Sequence, residues 1–209
     1  MAVNMAANHE PQVFLFLSEL LGRKVVDGEG RPIGRVVDLT GNIGDIYPPV
    51  TDILLRLKGN KKVVLFPWRR IAAINGTLTA HPLLPEDFRE PVLHPGELLL
   101  KDTLLDKQVV DTDGAKIRRV NDLQFLQAKK ILYLVHVDVG FHGLLRRVGL
   151  MRPIGFVLRK LFDYTMADQL IAWKFVQPLS SPDLLRLTIA QNRLAQLHPA
   201  DLADIIEDL

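Results

Sequence analysis

The chain of 209 residues contains no cysteine. Disulfide scaffolds, thiolate metal sites and cysteine nucleophiles are thereby excluded, and the absence fits a reducing compartment. Charge of one sign is not in excess either: 26 Lys+Arg against 24 Asp+Glu leave a formal net charge of +2. Bulk charge gives no reason to expect a nucleic-acid partner, and no specific one is predicted. Apolar runs of bilayer length are missing. Even the stretch 141–162 is broken by Arg146, Arg147, Arg152, Pro153, Arg159 and Lys160, each costly at the centre of a bilayer. The opening Met1 to Gln12 has neither Lys nor Arg and contains Pro11, so the charged start of a signal peptide is lacking. The expectation is a cytoplasmic protein that touches a membrane, if at all, from the side or through a longer parent protein.

What is present is a chain able to build a core, with 48% hydrophobic and 24% charged residues. It also repeats itself. The stretch 20–39, from Leu20 through Val25-Val26-Asp27 and Ile33 to Asp38-Leu39, aligns without a gap on 104–123, with 11 of 20 positions identical at a constant offset of 84. Further on, Leu65-Phe66-Pro67-Trp68-Arg69-Arg70-Ile71 resembles Leu170-Ile171-Ala172-Trp173-Lys174-Phe175-Val176, where the offset has grown to 105. The second copy therefore carries extra residues, placed at 141–165. Within each copy, β-branched arms flank a turn, Asp27-Gly28-Glu29-Gly30 in the first and Asp111-Thr112-Asp113-Gly114 in the second. Such arms around Asp and Gly predict short hairpins, and several in series predict a small barrel or curled sheet. Between the copies, Pro82, Pro85, Pro91 and Pro95 punctuate the chain and mark a boundary.

The sequence Gly22-Arg23-Lys24-Val25-Val26-Asp27, followed by Gly30, Ile33-Gly34, Val36 and Asp38-Leu39 and later by Phe66-Pro67-Trp68, resembles the PRC-barrel domain. That domain is shared by a photosynthetic reaction-centre subunit and by RimM-type ribosome maturation factors. The resemblance implies an adaptor β-domain that binds proteins and has no chemistry of its own. The second copy departs from the pattern: Arg118 stands where the first has Gly34, and Ala172 stands where it has Pro67. The expected fold is mainly β with an α-helical C-terminal tail: a first PRC-barrel-like domain at 14–80, a Pro-rich linker at 81–98, a second such domain at 99–180 with the insertion 141–165, and a helical tail at 181–209.

In the tail, Ser181 and Pro182 open a helical pattern, and Pro199-Ala200-Asp201 opens another. Leu197-His198-Pro199-Ala200-Asp201-Leu202-Ala203-Asp204-Ile205-Ile206-Glu207-Asp208-Leu209 resembles the start of the intracellular N domain of MgtE-type magnesium transporters. This implies a longer parent protein, with MgtE-N-like and CBS-like domains following as partners of the barrels. It also implies a magnesium-sensing role for Asp201, Asp204, Glu207 and Asp208. The competing reading is a solvated helix surface, since magnesium needs carboxylates from more than one element. Within the fragment no cofactor is expected, and Mg2+ is assigned only to the longer parent.

Enzyme signatures are weak. The six histidines include no metal-binding pair at helical spacing, and His136 with Asp138 on one strand supplies too few ligands to hold a metal. Gly28-Glu29-Gly30 with Gly34 mimics a dinucleotide fingerprint but lies in a hairpin, and the Asp111 turn lacks the later Glu of a calcium loop. Trp68 and Trp173 are expected in packing roles. In the insertion, Arg146, Arg147, Arg152, Arg159 and Lys160 are interleaved with apolar residues. Two readings stay open: an arm on a partner or anionic lipid, or a flap on the protein's own β-domain. The function expected is a non-enzymatic cytoplasmic regulatory or adaptor region of a magnesium-transport-like protein, with protein partners and room for a homodimer. The alternative is an RNA- or ribosome-associated assembly factor.

Overall fold

The computed structural model describes residues 13–81, 83–140 and 169–179. These residues are mainly β. In chain order the first half runs β1 (Val13–Phe16), α1 (Leu17–Leu20), β2 (Lys24–Val26), β3 (Pro32–Asn42), β4 (Val50–Leu57), β5 (Val63–Pro67), a 3-10 turn (Trp68–Arg70), β6 (Ile71–Ile74) and β7 (Leu78–Ala80). After a 3-10 turn at Pro85–Asp87 come β8 (Glu97–Leu99), α2 (Leu100–Leu104), β9 (Gln108–Asp111), β10 (Lys116–Arg119), β11 (Asp122–Ala128) and β12 (Ile131–Asp138). The last elements are β13 (Leu170–Ala172), a 3-10 turn (Trp173–Phe175) and β14 (Val176–Pro178). The insertion 141–165 and the tail 181–209 lie outside the described residues.

Residues separated by 84 make corresponding contacts. Gly22 N–H donates to the Val36 carbonyl at 2.8 Å and Asp106 N–H to that of Val120 at 2.9 Å; Val36 N–H meets the Arg23 carbonyl at 3.1 Å and Val120 N–H that of Lys107 at 2.9 Å. Gly22 and Asp106 both take a left-handed conformation, at φ 73° and 65°. Val25 on β2 and Val109 on β9 are both fully buried. Beyond the insertion the offset of 105 relates the two 3-10 turns, and Trp68 and Trp173 begin them, each buried in the core.

The strand pairing does not follow the boundaries drawn in the sequence. β1 does not join the sheet of the first half; it pairs antiparallel with β11, Phe14 opposite Leu126 and Leu15 opposite Phe125. Conversely, β8 pairs with β3, Leu99 opposite Thr40. Each half thus lends its leading strand to the other. The short helices follow their strands. Lys101 and Asp102 N–H groups donate to the Asp38 carboxylate at 2.8 and 3.2 Å. Ser18 donates to Asp122 through its N–H at 3.1 Å and its hydroxyl at 2.6 Å. Asp38 and Asp122 are themselves 84 apart, and both are buried. Apolar side chains from both halves, Leu17, Leu20, Leu39 and Phe66 with Leu100, Leu104, Leu123 and Phe125, form one continuous core.

The proline-rich stretch also differs from a bare linker. Arg89 exchanges backbone hydrogen bonds with Leu65 at 2.8 and 3.0 Å, and its guanidinium pairs with Asp52. Arg70 Nε donates to Asp87 at 2.7 Å. Burial works against the Asp87 charge, but the Leu84 N–H and Arg70 outweigh it and hold the carboxyl below its ordinary value. A carboxyl depressed on folding gives stability that is complete above the unfolded pKa and is lost as pH falls through the folded one. Asp87→Asn should therefore reduce stability at neutral pH and flatten the acid side of a pH–stability curve measured by urea unfolding. Asp38 has the opposite sign: burial pushes its carboxyl up, so its ionisation costs stability as pH rises through the carboxylate range.

One departure of the second copy has a steric cause. β3 is sandwiched between β2 and β4, and a Cβ on Gly34 would run into the Arg56 carbonyl oxygen. β10, which carries Arg118, is an edge strand paired with β9 alone, so a side chain fits there. Gly34→Ala should destabilise by about 1–3 kcal/mol through overpacking, while Arg118→Gly should change chemical denaturation little.

Candidate interaction surfaces

The sheet β1-β11-β12-β13 has an outer face that nothing among the described residues covers fully. Alternation along β12 sends Leu132 and Leu134 into the core and Tyr133 outward. A bulge follows: Gln124 faces His136 while Phe125 faces Leu134, leaving Val135 as the extra residue. Bulges re-aim side chains, and here Tyr133, Val135 and His136 all reach the same groove, with Phe14 and Leu126 from the neighbouring strands and Tyr47 from the β3–β4 loop. The groove encloses about 440 Å³. Phe14 is 49% and Tyr47 47% exposed. That loop is fastened by a Leu134 N–H bond to the Pro48 carbonyl at 2.8 Å and by Trp173 Nε1 donating to the Asp45 carbonyl at 3.3 Å.

His136 is the imidazole of this groove. Its Nδ1 lies 2.9 Å from Gln124 Oε1, and burial lowers its pKa. At neutral pH the imidazole is therefore uncharged and the groove stays apolar. Asp138 does not share that contact; its Oδ1 accepts the Gly140 N–H at 2.9 Å.

A second cleft, of about 600 Å³, opens over β2, β3 and β4. Lys24 pairs across the strands with Arg35, and Arg35 with Arg56. Lys58 and Lys61 line its end, and the lining includes no carboxylate. A third cleft holds the Asp52–Arg89 and Asp87–Arg70 pairs, whose charges answer one another.

The turns singled out in the sequence are hairpin connections. Asp27 Oδ1 accepts the N–H groups of Glu29 and Arg31 at 2.9 and 2.8 Å between β2 and β3. Asp111 Oδ1 accepts those of Asp113 and Gly114 at 3.1 and 3.0 Å between β9 and β10. No group of three or more His, Asp or Glu side chains positioned for a metal occurs among the described residues. Arg146, Arg147, Arg152, Arg159 and Lys160, and the tail carboxylates Asp201, Asp204, Glu207 and Asp208, lie outside the described residues. Among the described residues no helix is long and apolar enough to cross a membrane.

Residues 12–83 match the PRC-barrel domain family. This stretch is a PRC-barrel domain. Such domains generally mediate protein–protein interaction. No curated protein matches the chain. The PRC-barrel match contains β1 and α1, the two elements that the first half lends to the second. Sequence reasoning did not single out the groove residues Phe14, Tyr47, Leu126 and Tyr133, because the exchange of β1 and the bulge at Val135 are set by long-range pairing.

Proposed function

We propose that the chain is a non-enzymatic adaptor whose apolar groove receives an apolar segment of a protein partner. The observation that carries the reading is the cluster of exposed Phe14 and Tyr47 with half-buried Tyr133 on a chain that contains a PRC-barrel domain. Aromatic side chains that are large, rigid and half-exposed are the usual anchors of an interface. The repeated sequence and the contacts repeated at an offset of 84 support a duplication, the second copy being a PRC-barrel-like unit that has lost part of the family's pattern. The likeness of 197–209 to the MgtE N domain supports a cytoplasmic regulatory place in a magnesium-transport-like protein, with Mg2+ sensed by a longer parent. The RNA-associated alternative comes from the likeness to RimM-type factors; the basic cleft it would use has no aromatic residue in its lining for base stacking.

The test is recovery of a protein partner by the immobilised chain. Phe14→Glu with Tyr133→Glu should abolish recovery at an unchanged melting temperature, because both side chains already meet solvent. Partner recovery unaffected by both substitutions would remove the groove from the account. For the magnesium setting, calorimetry should give weak or no binding to the 209-residue chain and magnesium-dependent protease protection of a longer protein; protection in neither would exclude it.

A further inference from the structure

Like charges directly opposite on neighbouring strands destabilise a sheet. The first half nevertheless places three in a row, Lys24 against Arg35 and Arg35 against Arg56, and adds Lys58 and Lys61 at the end of the same cleft. All five are exposed. None of them forms an ion pair with a carboxylate of the described residues; Arg35 reaches only the Gly22 carbonyl, at 2.9 Å. From this unneutralised row we infer a second docking site, one that takes an acidic segment of a protein partner.

The other half of the molecule provides an internal contrast. At the offset of 84, Lys24 becomes Gln108, Arg56 becomes Gly140 and Gly22 becomes Asp106. Arg119, which corresponds to Arg35, is neutralised there by Asp106 at 2.7 Å. The corresponding β9–β10 hairpin therefore stands without the cation row, so the row is not needed to form the hairpin.

The cleft chemistry selects the class of anion. A phosphate cradle offers free backbone N–H groups. Here those of Gly22, Val36, Leu57 and Lys58 all donate within the sheet, to Val36, Arg23, Lys62 and Ile33 carbonyls. What remains is long cationic side chains around Pro32, Val37 and Leu57. Such a mixture suits carboxylates interspersed with apolar side chains. The inference rests on the reading of the chain as a protein-binding module, but it uses a different face from the groove.

The test uses the full chain and a fluorescein-labelled peptide of alternating Glu and Leu, with poly-uridine RNA, phosphatidylserine vesicles and pyrophosphate as competing anions. The peptide should bind at low salt, weaken as salt screens the cleft, and bind about tenfold more weakly to the Lys24→Gln, Arg35→Gln, Arg56→Gln variant. Lys24→Gln alone should shift affinity less, in the same direction. The triple variant should melt at the wild-type temperature or above it, since repulsion is relieved; a merely structural row would lower it. Peptide affinity equal in wild type and triple variant, or binding of RNA, vesicles or pyrophosphate without the peptide, would overturn the inference. Peptide failure with groove-dependent partner recovery intact would overturn this site and leave the adaptor reading standing, whereas Phe14→Glu should not affect the peptide.

Discussion

Replacing both Asp38 and Asp122 by alanine should leave the protein largely unfolded at room temperature. Asp122 accepts the Ser18 N–H and hydroxyl and the Leu123 N–H, the last at 2.9 Å. Asp38 does the same for the Lys101, Asp102 and Leu39 N–H groups, the last at 2.7 Å. A buried donor left without its acceptor costs roughly 1–3 kcal/mol, and with one buried and two part-buried donors each, a single substitution should cost up to about 3 kcal/mol. Two together approach the whole stability of a typical domain, about 5–15 kcal/mol. Urea unfolding followed by circular dichroism checks this. A single substitution costing under about 1 kcal/mol would mean that the lent helices are held by their apolar contacts and not by these carboxylates.

The second large effect concerns the matched PRC-barrel segment in isolation. A fragment of residues 12–83 keeps β1 and α1 but lacks the β11 on which they lie, and it loses β8 and α2, which complete its own β3. Leu15, Leu17 and Leu20 lose their cover, and Leu100 and Leu104 leave the core. Each fully buried leucine is worth about 1.5–3 kcal/mol, so five of them outweigh the stability of a small domain. The fragment should show no cooperative melting as a monomer. Mixing it with a fragment covering residues 84–209 should restore a sharp transition. Cooperative melting of the isolated monomer near the temperature of the full chain would show that the exchange contributes little.

The local features were legible in the sequence because they are local. Asp and Gly in 27–30 and 111–114 dictate hairpins through contacts spanning four residues or fewer, and the repeat positions Trp68 and Trp173 at equivalent 3-10 turns. The Lys129-Lys130 turn was not legible: both residues take positive φ, 48° and 64°, where a two-residue hairpin ordinarily has Asn or Gly. The exchange of β1 and β8 was hidden for a different reason. Val13 to Phe16 would satisfy either sheet edge by pattern alone, and the choice is made by the Ser18–Asp122 contact 104 residues away. The cation row needed register as well, since the hairpin gives Lys24 opposite Arg35, but Arg56 joins them through the long β3–β4 pairing, whose register shifts twice between Gly41 and Val36.

A photoreactive amino acid at Tyr133 tests the adaptor reading most directly, with Thr112 on an exposed turn of the same half as the control position. Irradiation in cells should join position 133, and not position 112, to a discrete protein species, and Phe14→Glu should remove that adduct. Identical adducts at the two positions, or none at position 133, would contradict a protein-binding groove.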